Sequence, residues 1–171
     1  MNRFITLTIV LSFYCQMICA QGINQIWGIT QNGGAEDIGV IFNTNAYGDN
    51  FRLRHNLNYK YPGRNPSFND VVEYNGKLYG MTRMGGSNDA GLIFEWDPIT
   101  NVYTKKIDFF SNGAFPEGSL TLYAGKFYGM TSLGGINNGG VIFEWDPVTN
   151  VYSKKIDLST ANGNRPYGNL V

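Results

Sequence analysis

The sequence predicts an all-β fold built of β-propeller-type blades, four-stranded antiparallel sheets in three repeats that form an incomplete propeller. Two observations carry the prediction. The stretch Gly76 to Phe109 returns at Gly125 to Leu158 with 24 of 34 positions identical and a spacing of 49 residues from Trp96 to Trp145. That period suits one four-stranded unit that needs neighbours to bury its faces. The second is composition: 15% aromatic residues and 22 glycines in 171 residues favour many short strands joined by glycine-rich turns.

Taken in order, residues 1–20 read as a secretory signal peptide. Arg3 supplies the charged start, Phe4 to Tyr14 the apolar centre, and Ile18-Cys19-Ala20 a cleavage segment that exposes Gln21. The apolar run is shorter than the ~18 residues a membrane span needs, and no second one follows. Cys15 and Cys19 both lie in this leader, so the mature chain has no disulfide or thiolate chemistry. Acylation at either cysteine is disfavoured because Tyr14 and Ile18 stand where a small residue is expected. Removing Arg3 leaves 12 basic against 13 acidic residues, a net charge of −1. No basic field is present to attract nucleic acid or an anionic membrane.

The mature chain, residues 21–171, divides into repeats at about 23–57, 70–109 and 119–158, followed by the start of a further repeat. The first is degenerate. An offset of 52 aligns Trp27-Gly28 with Tyr79-Gly80, Gly33-Gly34 with Gly85-Gly86, Gly39 with Gly91 and Phe42 with Phe94. Within a clear copy, strand a covers Ser119 to Tyr123 (Val71 to Tyr74 one copy earlier). Ala124-Gly125 or Asn75-Gly76 then forms a tight hairpin turn that needs positive φ. Strand b covers Lys126 to Thr131, and its central Gly129, like Gly80 and Gly28, clears space for an approaching backbone or sheet. Strand c, Gly140 to Asp146, is apolar on both faces, which implies stacked sheets. It ends in Asp-Pro-Val-Thr-Asn, a turn in which Asp caps amides, Pro presets φ and Asn accepts a left-handed conformation. Strand d, Val151 to Asp157, carries Lys154 and Lys155 as protection for an exposed edge.

The run YGMTSLGG…VIFEWDPVTNVY resembles kelch-type propeller repeats. It is more closely similar to the bacterial extracellular GloVer (Gloeo/Verruco) repeats, over Ile26 to Leu158. The resemblance implies a propeller and a secreted or cell-surface location; it implies no reaction. The chain opens at strand b and stops at Pro166 to Val171, which match Pro116 to Thr121 at the start of strand a. Three blades are fewer than the usual minimum of about 4, so the expectation is an N-terminal part of a longer protein that self-associates when made alone.

No catalytic, metal or cofactor motif stands out. His55 is the single histidine, which leaves no partner for a metal cluster or a catalytic triad. Glu95 with Asp97 and Glu144 with Asp146 recur in each copy, as structural groups would. The loops Gly33 to Gly39, Gly85 to Gly91 and Gly134 to Gly140 place Asp37, Asp89 and Asn138 alike; they lack the ligand density of a calcium loop and read as turns. Binding is expected on the face of the longer b–c and d–a connections, at Tyr61, Arg64, Phe115, Arg165 and Tyr167, with a glycan or an extracellular protein as partner. Each aromatic there can equally serve to seal a gap between blades. The functional expectation is a non-catalytic binding module; the alternative is the propeller part of an extracellular carbohydrate-active enzyme whose catalytic residues lie outside this chain.

Overall fold

A computed structural model describes residues 25–58, 63–67 and 69–171. The leader, Tyr61 and Phe68 lie outside the described residues. Eleven strands and no helix make up the described chain. The first sheet holds β1 (Gln25–Ile29), β2 (Val40–Asn45) and β3 (Arg52–Asn56). The second holds β4 (Val72–Tyr74), β5 (Lys77–Thr82), β6 (Leu92–Asp97) and β7 (Val102–Asp108). The third holds β8 (Thr121–Tyr123), β9 (Lys126–Thr131), β10 (Val141–Asp146) and β11 (Val151–Asp157). All pairings are antiparallel between sequence neighbours, so each sheet is an up-and-down blade. Strands a and c start one or two residues later than expected, because the preceding segments are held by side chains and loop amides rather than by a ladder.

The turns follow their residue chemistry. Asn75, Ala124, Asn101 and Asn150 all adopt positive φ, 49–58°. Asp97 Oδ1 accepts from the amides of Ile99 and Thr100, and Asp146 Oδ1 from those of Val148 and Thr149. These bonds hold both carboxyls below their ordinary range.

The strand-b glycines serve a different neighbour from the one the sequence suggests. A Cβ at Gly28, Gly80 or Gly129 would lie 2.5, 2.7 or 2.5 Å from Cζ of Phe42, Phe94 or Phe143. The paired phenylalanine of the adjacent strand folds its ring over the glycine within one sheet. The nearest atoms to each such Cβ are side-chain atoms rather than a backbone.

Two cores stack the blades. Between the first and second sheets lie Ile41, Leu78, Phe94 and Trp96, with Trp27 edge-on to Trp96 at 5.1 Å. Between the second and third lie Tyr79, Met81, Ile93, Phe127, Phe143 and Trp145; Tyr79 packs on Phe127 and Trp145 at 4.9 and 5.7 Å. Phe109, at the end of the second repeat, belongs to this second core.

Backbone bonds in the connections add to the stacking. Asn65, Phe115 and Arg165, each just before a proline, adopt φ of 51, 54 and 48°. Their amides donate to the carbonyls of Ile38, Ala90 and Gly139 in the preceding b–c loops, at 3.1, 2.8 and 2.7 Å. The carbonyls of Asn65 and Phe115 accept from Arg83 and Ser132 at the ends of the next blades' strands b. The d–a connection therefore staples consecutive blades and gathers the b–c and d–a segments on one face.

Candidate functional site

A polar cleft of about 470 Å³ on that face is lined by Asn137, Asn138, Gly139, Ser159, Thr160, Asn164 and Arg165. Each wall has a local cause. Asn138, at φ 49°, turns its Oδ1 back to accept from the Gly134 amide at 2.9 Å, which closes the b–c loop. Ser159 accepts its place from Asn162, whose Oδ1 takes both the Ser159 amide (2.7 Å) and hydroxyl (3.1 Å). Gly139 is needed because a Cβ there would meet the Leu158 carbonyl at 2.5 Å. Arg165 is anchored by its own amide on the Gly139 carbonyl.

With the loops closed in this way, the side chains of Asn137, Thr160, Asn164 and Arg165 make no hydrogen bond among the described residues, and no carboxylate lines the cleft. Two amides, a hydroxyl and one guanidinium thus face solvent around a cavity. They can donate to and accept from a hydroxyl-rich ligand. They supply no nucleophile paired with a base.

Of the sequence-predicted residues, Arg165 lines this cleft, while Tyr167 is exposed (61%) and stands outside it. Arg64 is committed elsewhere: its guanidinium grips Asp89 at 2.5 and 2.7 Å and its backbone bridges Met84. Phe115 is half-buried against the second core with the Arg83 guanidinium 5.3 Å over its ring. Arg83 in turn binds buried Glu117, Nε to Oε1 at 2.5 Å. Arg64 and Phe115 are therefore inter-blade staples. Sequence reasoning missed Asn137, Ser159, Thr160 and Asn164, since short polar residues in a glycine-rich loop carry no signal beyond turn formation. Asp37, Asp89 and Asn138 each accept from the first glycine of their loop, at 2.8, 2.8 and 2.9 Å, the turn role expected of them.

A second recurring constellation lies on the strands. Glu95 accepts from Lys77 (2.6 Å) and Tyr79 (3.0 Å), with Lys106 at 3.5 Å. Glu144 repeats this with Lys126 (2.8 Å), Tyr128 (2.9 Å) and Lys155 at 3.3 Å. In the first blade Asn43 takes the carboxylate's place between Gln25 and Arg54. A register shift recurs in all three sheets, between Ile41/Phe42, Ile93/Phe94 and Ile142/Phe143. The bulge re-aims Arg54, Lys106 and Lys155 toward the strand-c acceptor. Burial would raise the Glu95 pKa, but hydrogen bonds from Lys77 and Tyr79 with the charge of Lys106 bring it below its ordinary value. The bonds from Lys126 and Tyr128 hold Glu144 down to about 2.

Three blades of one pattern, each with the Gly–Phe pair and the bulged strand d, are the fold of a single repeat family, and the family model described as the Gloeobacter/Verrucomicrobia repeat matches residues 14–171. The chain belongs to that family. No curated protein matches it. Within this Gloeobacter/Verrucomicrobia repeat chain the strands hold the recurring residues, whereas the residues of the cleft differ between the second blade and the third. Its counterparts in the second blade are Phe110, Ser111, Ala114 and Phe115 in place of Ser159, Thr160, Asn164 and Arg165.

Proposed function

We propose that this chain is a secreted or surface-displayed, kelch-like repeat protein that binds a glycan or an extracellular protein, without catalysis, through the face built by its b–c and d–a connections. The observation that carries the reading is the third-blade cleft, with four polar side chains left uncommitted around about 470 Å³. Rigid strands hold these groups in place, and ligand sites favour loops carried on such scaffolds. Amides, hydroxyls and a guanidinium match the hydroxyls of a sugar or the main-chain groups of a protein. The opposite face offers little besides the Asp-Pro turns, whose side chains are consumed in their own closure. Export rests on the leader pattern of residues 1–20.

The test is a glycan array and a surface pull-down with the exported chain. Arg165→Ala and Asn137→Ala are expected to abolish capture, while Thr100→Ala and Thr149→Ala on the tight-turn face leave it unchanged. Loss confined to the threonine variants would overturn the reading. Mass spectrometry of exported material checks the leader: the expected chain begins at Gln21, and a retained Met1 would reject it.

A further inference from the structure

On the tight-turn face each blade passes from strand c to strand d through a turn that uses its backbone and leaves its tip free. Asn45 Oδ1 accepts from the amides of Tyr47 and Asp49, at 3.0 and 2.9 Å. Asp97 does the same for Ile99 and Thr100, and Asp146 for Val148 and Thr149. Closure therefore needs an amide at Tyr47, Ile99 and Val148 and nothing of their side chains; these residues stand 90, 89 and 79% exposed. A polar residue would serve the turn as well.

The three tips occupy one position of the repeat, at offsets of 52 and 49 residues. The first turn, 45–50, shares no residue with 97–102, yet it keeps a large apolar tip. Ile99 belongs to the blade with a neighbour on either side, so the exposure of this position does not depend on which blades flank it. Ile136 on the opposite face is the contrasting case: it is 82% exposed, but Ser87 and Ala35 stand at its place in the other blades. Single exposed apolar side chains are ordinary, whereas a set gathered on one face marks an interaction site.

The charges near the tips are balanced. The turns 45–50, 97–102 and 146–151 hold no lysine or arginine. Behind the second and third tips, the Lys77 ammonium lies within electrostatic reach of Asp97 and that of Lys126 within reach of Asp146. Both lysine side chains are partly open to solvent, at 38 and 41%. The third turn is fixed against the second blade by Asn150, which accepts from Trp145 Nε1 at 3.1 Å and donates to the Lys106 carbonyl at 3.4 Å.

We propose that the tips Tyr47, Ile99 and Val148 seat this face on the surface of a lipid bilayer with zwitterionic headgroups. Exposure near nine-tenths means that no neighbouring group walls the tips, so they are apolar points and not a shaped pocket. A bilayer interface takes tyrosine and aliphatic side chains at any spacing and binds in proportion to the apolar area it buries. A protein partner would need a hollow matched to each point. Neighbouring carboxylates and ammonium groups match the amine and phosphate of a zwitterionic headgroup, and they exert no net pull toward a surface of one sign. The ligand cleft, on the other face, is left turned to solvent, and the lipid contact does not depend on it.

Flotation of the exported chain with phosphatidylcholine vesicles tests the proposal. The wild type is expected to float, equally at about 0.1 and 1 M salt. Ile99→Ser and Val148→Ser are each expected to lower the partition coefficient roughly tenfold, and the triple variant with Tyr47→Ser to stay unbound. Ile136→Ser floats as the wild type does. A wild type that does not float overturns the proposal, as does a triple variant that floats, an equal loss with Ile136→Ser, or flotation confined to phosphatidylglycerol vesicles. Self-association that needs the tips, without flotation, assigns the face to a second copy and also overturns it. Unchanged urea midpoints check that the variants are folded. A second readout needs no loss of binding: the added fluorescence of Ile99→Trp is quenched by lipid brominated on its acyl chains and that of Ile136→Trp is not, and an equal response of the two overturns the proposal.

Discussion

Gly129 shows how one residue sets a sheet's shape. With the Phe143 ring 2.5 Å from where a Cβ would stand, Gly129→Val must displace a ring that is itself fully buried. The expected loss is about 1–3 kcal/mol, as overpacking usually costs, read as a lowered midpoint in urea unfolding; an unchanged midpoint would mean the ring yields freely. Arg165 presents the opposite case. It holds a φ of 48°, which a branched or long side chain adopts at a cost and asparagine tolerates. Arg165→Asn is therefore expected to raise stability by up to about 1 kcal/mol while abolishing capture of the ligand. Such an outcome would separate the residue's binding role from any folding role, and a loss of both stability and binding would argue that the side chain is structural.

The strand-d bulge is the element that turns two adjacent lysines to two tasks. Lys154 reaches Asp157 at 2.7 Å, while Lys155 turns to Glu144 at 3.3 Å. The sequence reads both as surface lysines on an edge strand; the pairing of Lys155 with Glu144 depends on the bulge. The cluster has a pH signature. The folded pKa of Glu144, about 2, lies below its ordinary 4.5, so its contribution to stability is present above about pH 4.5 and lost as pH falls toward 2. Glu144→Gln is expected to flatten the acid limb of a stability–pH curve over that window and leave the neutral region nearly parallel to the wild type. An unaltered acid limb would show that other carboxylates carry it.

At the scale of the whole molecule, the first blade joins the rest through a junction of distinct chemistry. His55 stacks on Tyr103 of the second blade at 5.2 Å, where the later copies have isoleucine. Burial pushes the imidazole below its ordinary 6.5, so the folded state prefers it neutral. That preference stabilises the junction above pH 6.5 and is lost as pH falls through the lowered folded value. Hydrogen exchange at pH 5 is expected to quicken in β1 to β3 before it does in β5 to β10, and His55→Phe is expected to remove the difference. Exchange that quickens evenly over all three sheets would place the acid-sensitive step elsewhere.

The repeat, the all-β class, the bounds of β9 and β11 and the Asp-Pro turns were all legible in the sequence. Each depends on local chemistry: period-two patterning, fixed φ at proline, left-handed φ at Asn and Gly, and side-chain acceptors within three residues of their donors. Tertiary structure alone decided what those residues meet. It placed the phenylalanine ring over the strand-b glycine, turned Lys106 and Lys155 to the glutamates through a bulge, put Phe109 in a core, and made Arg64 and Phe115 staples while leaving Arg165 at a cleft. The physical reason is distance along the chain. Gly129 meets Phe143, Arg64 meets Asp89 and Tyr79 meets Trp145 across 14 to 66 residues. Contacts of that separation are set by strand register within a blade and by how blades stack, which no local pattern encodes.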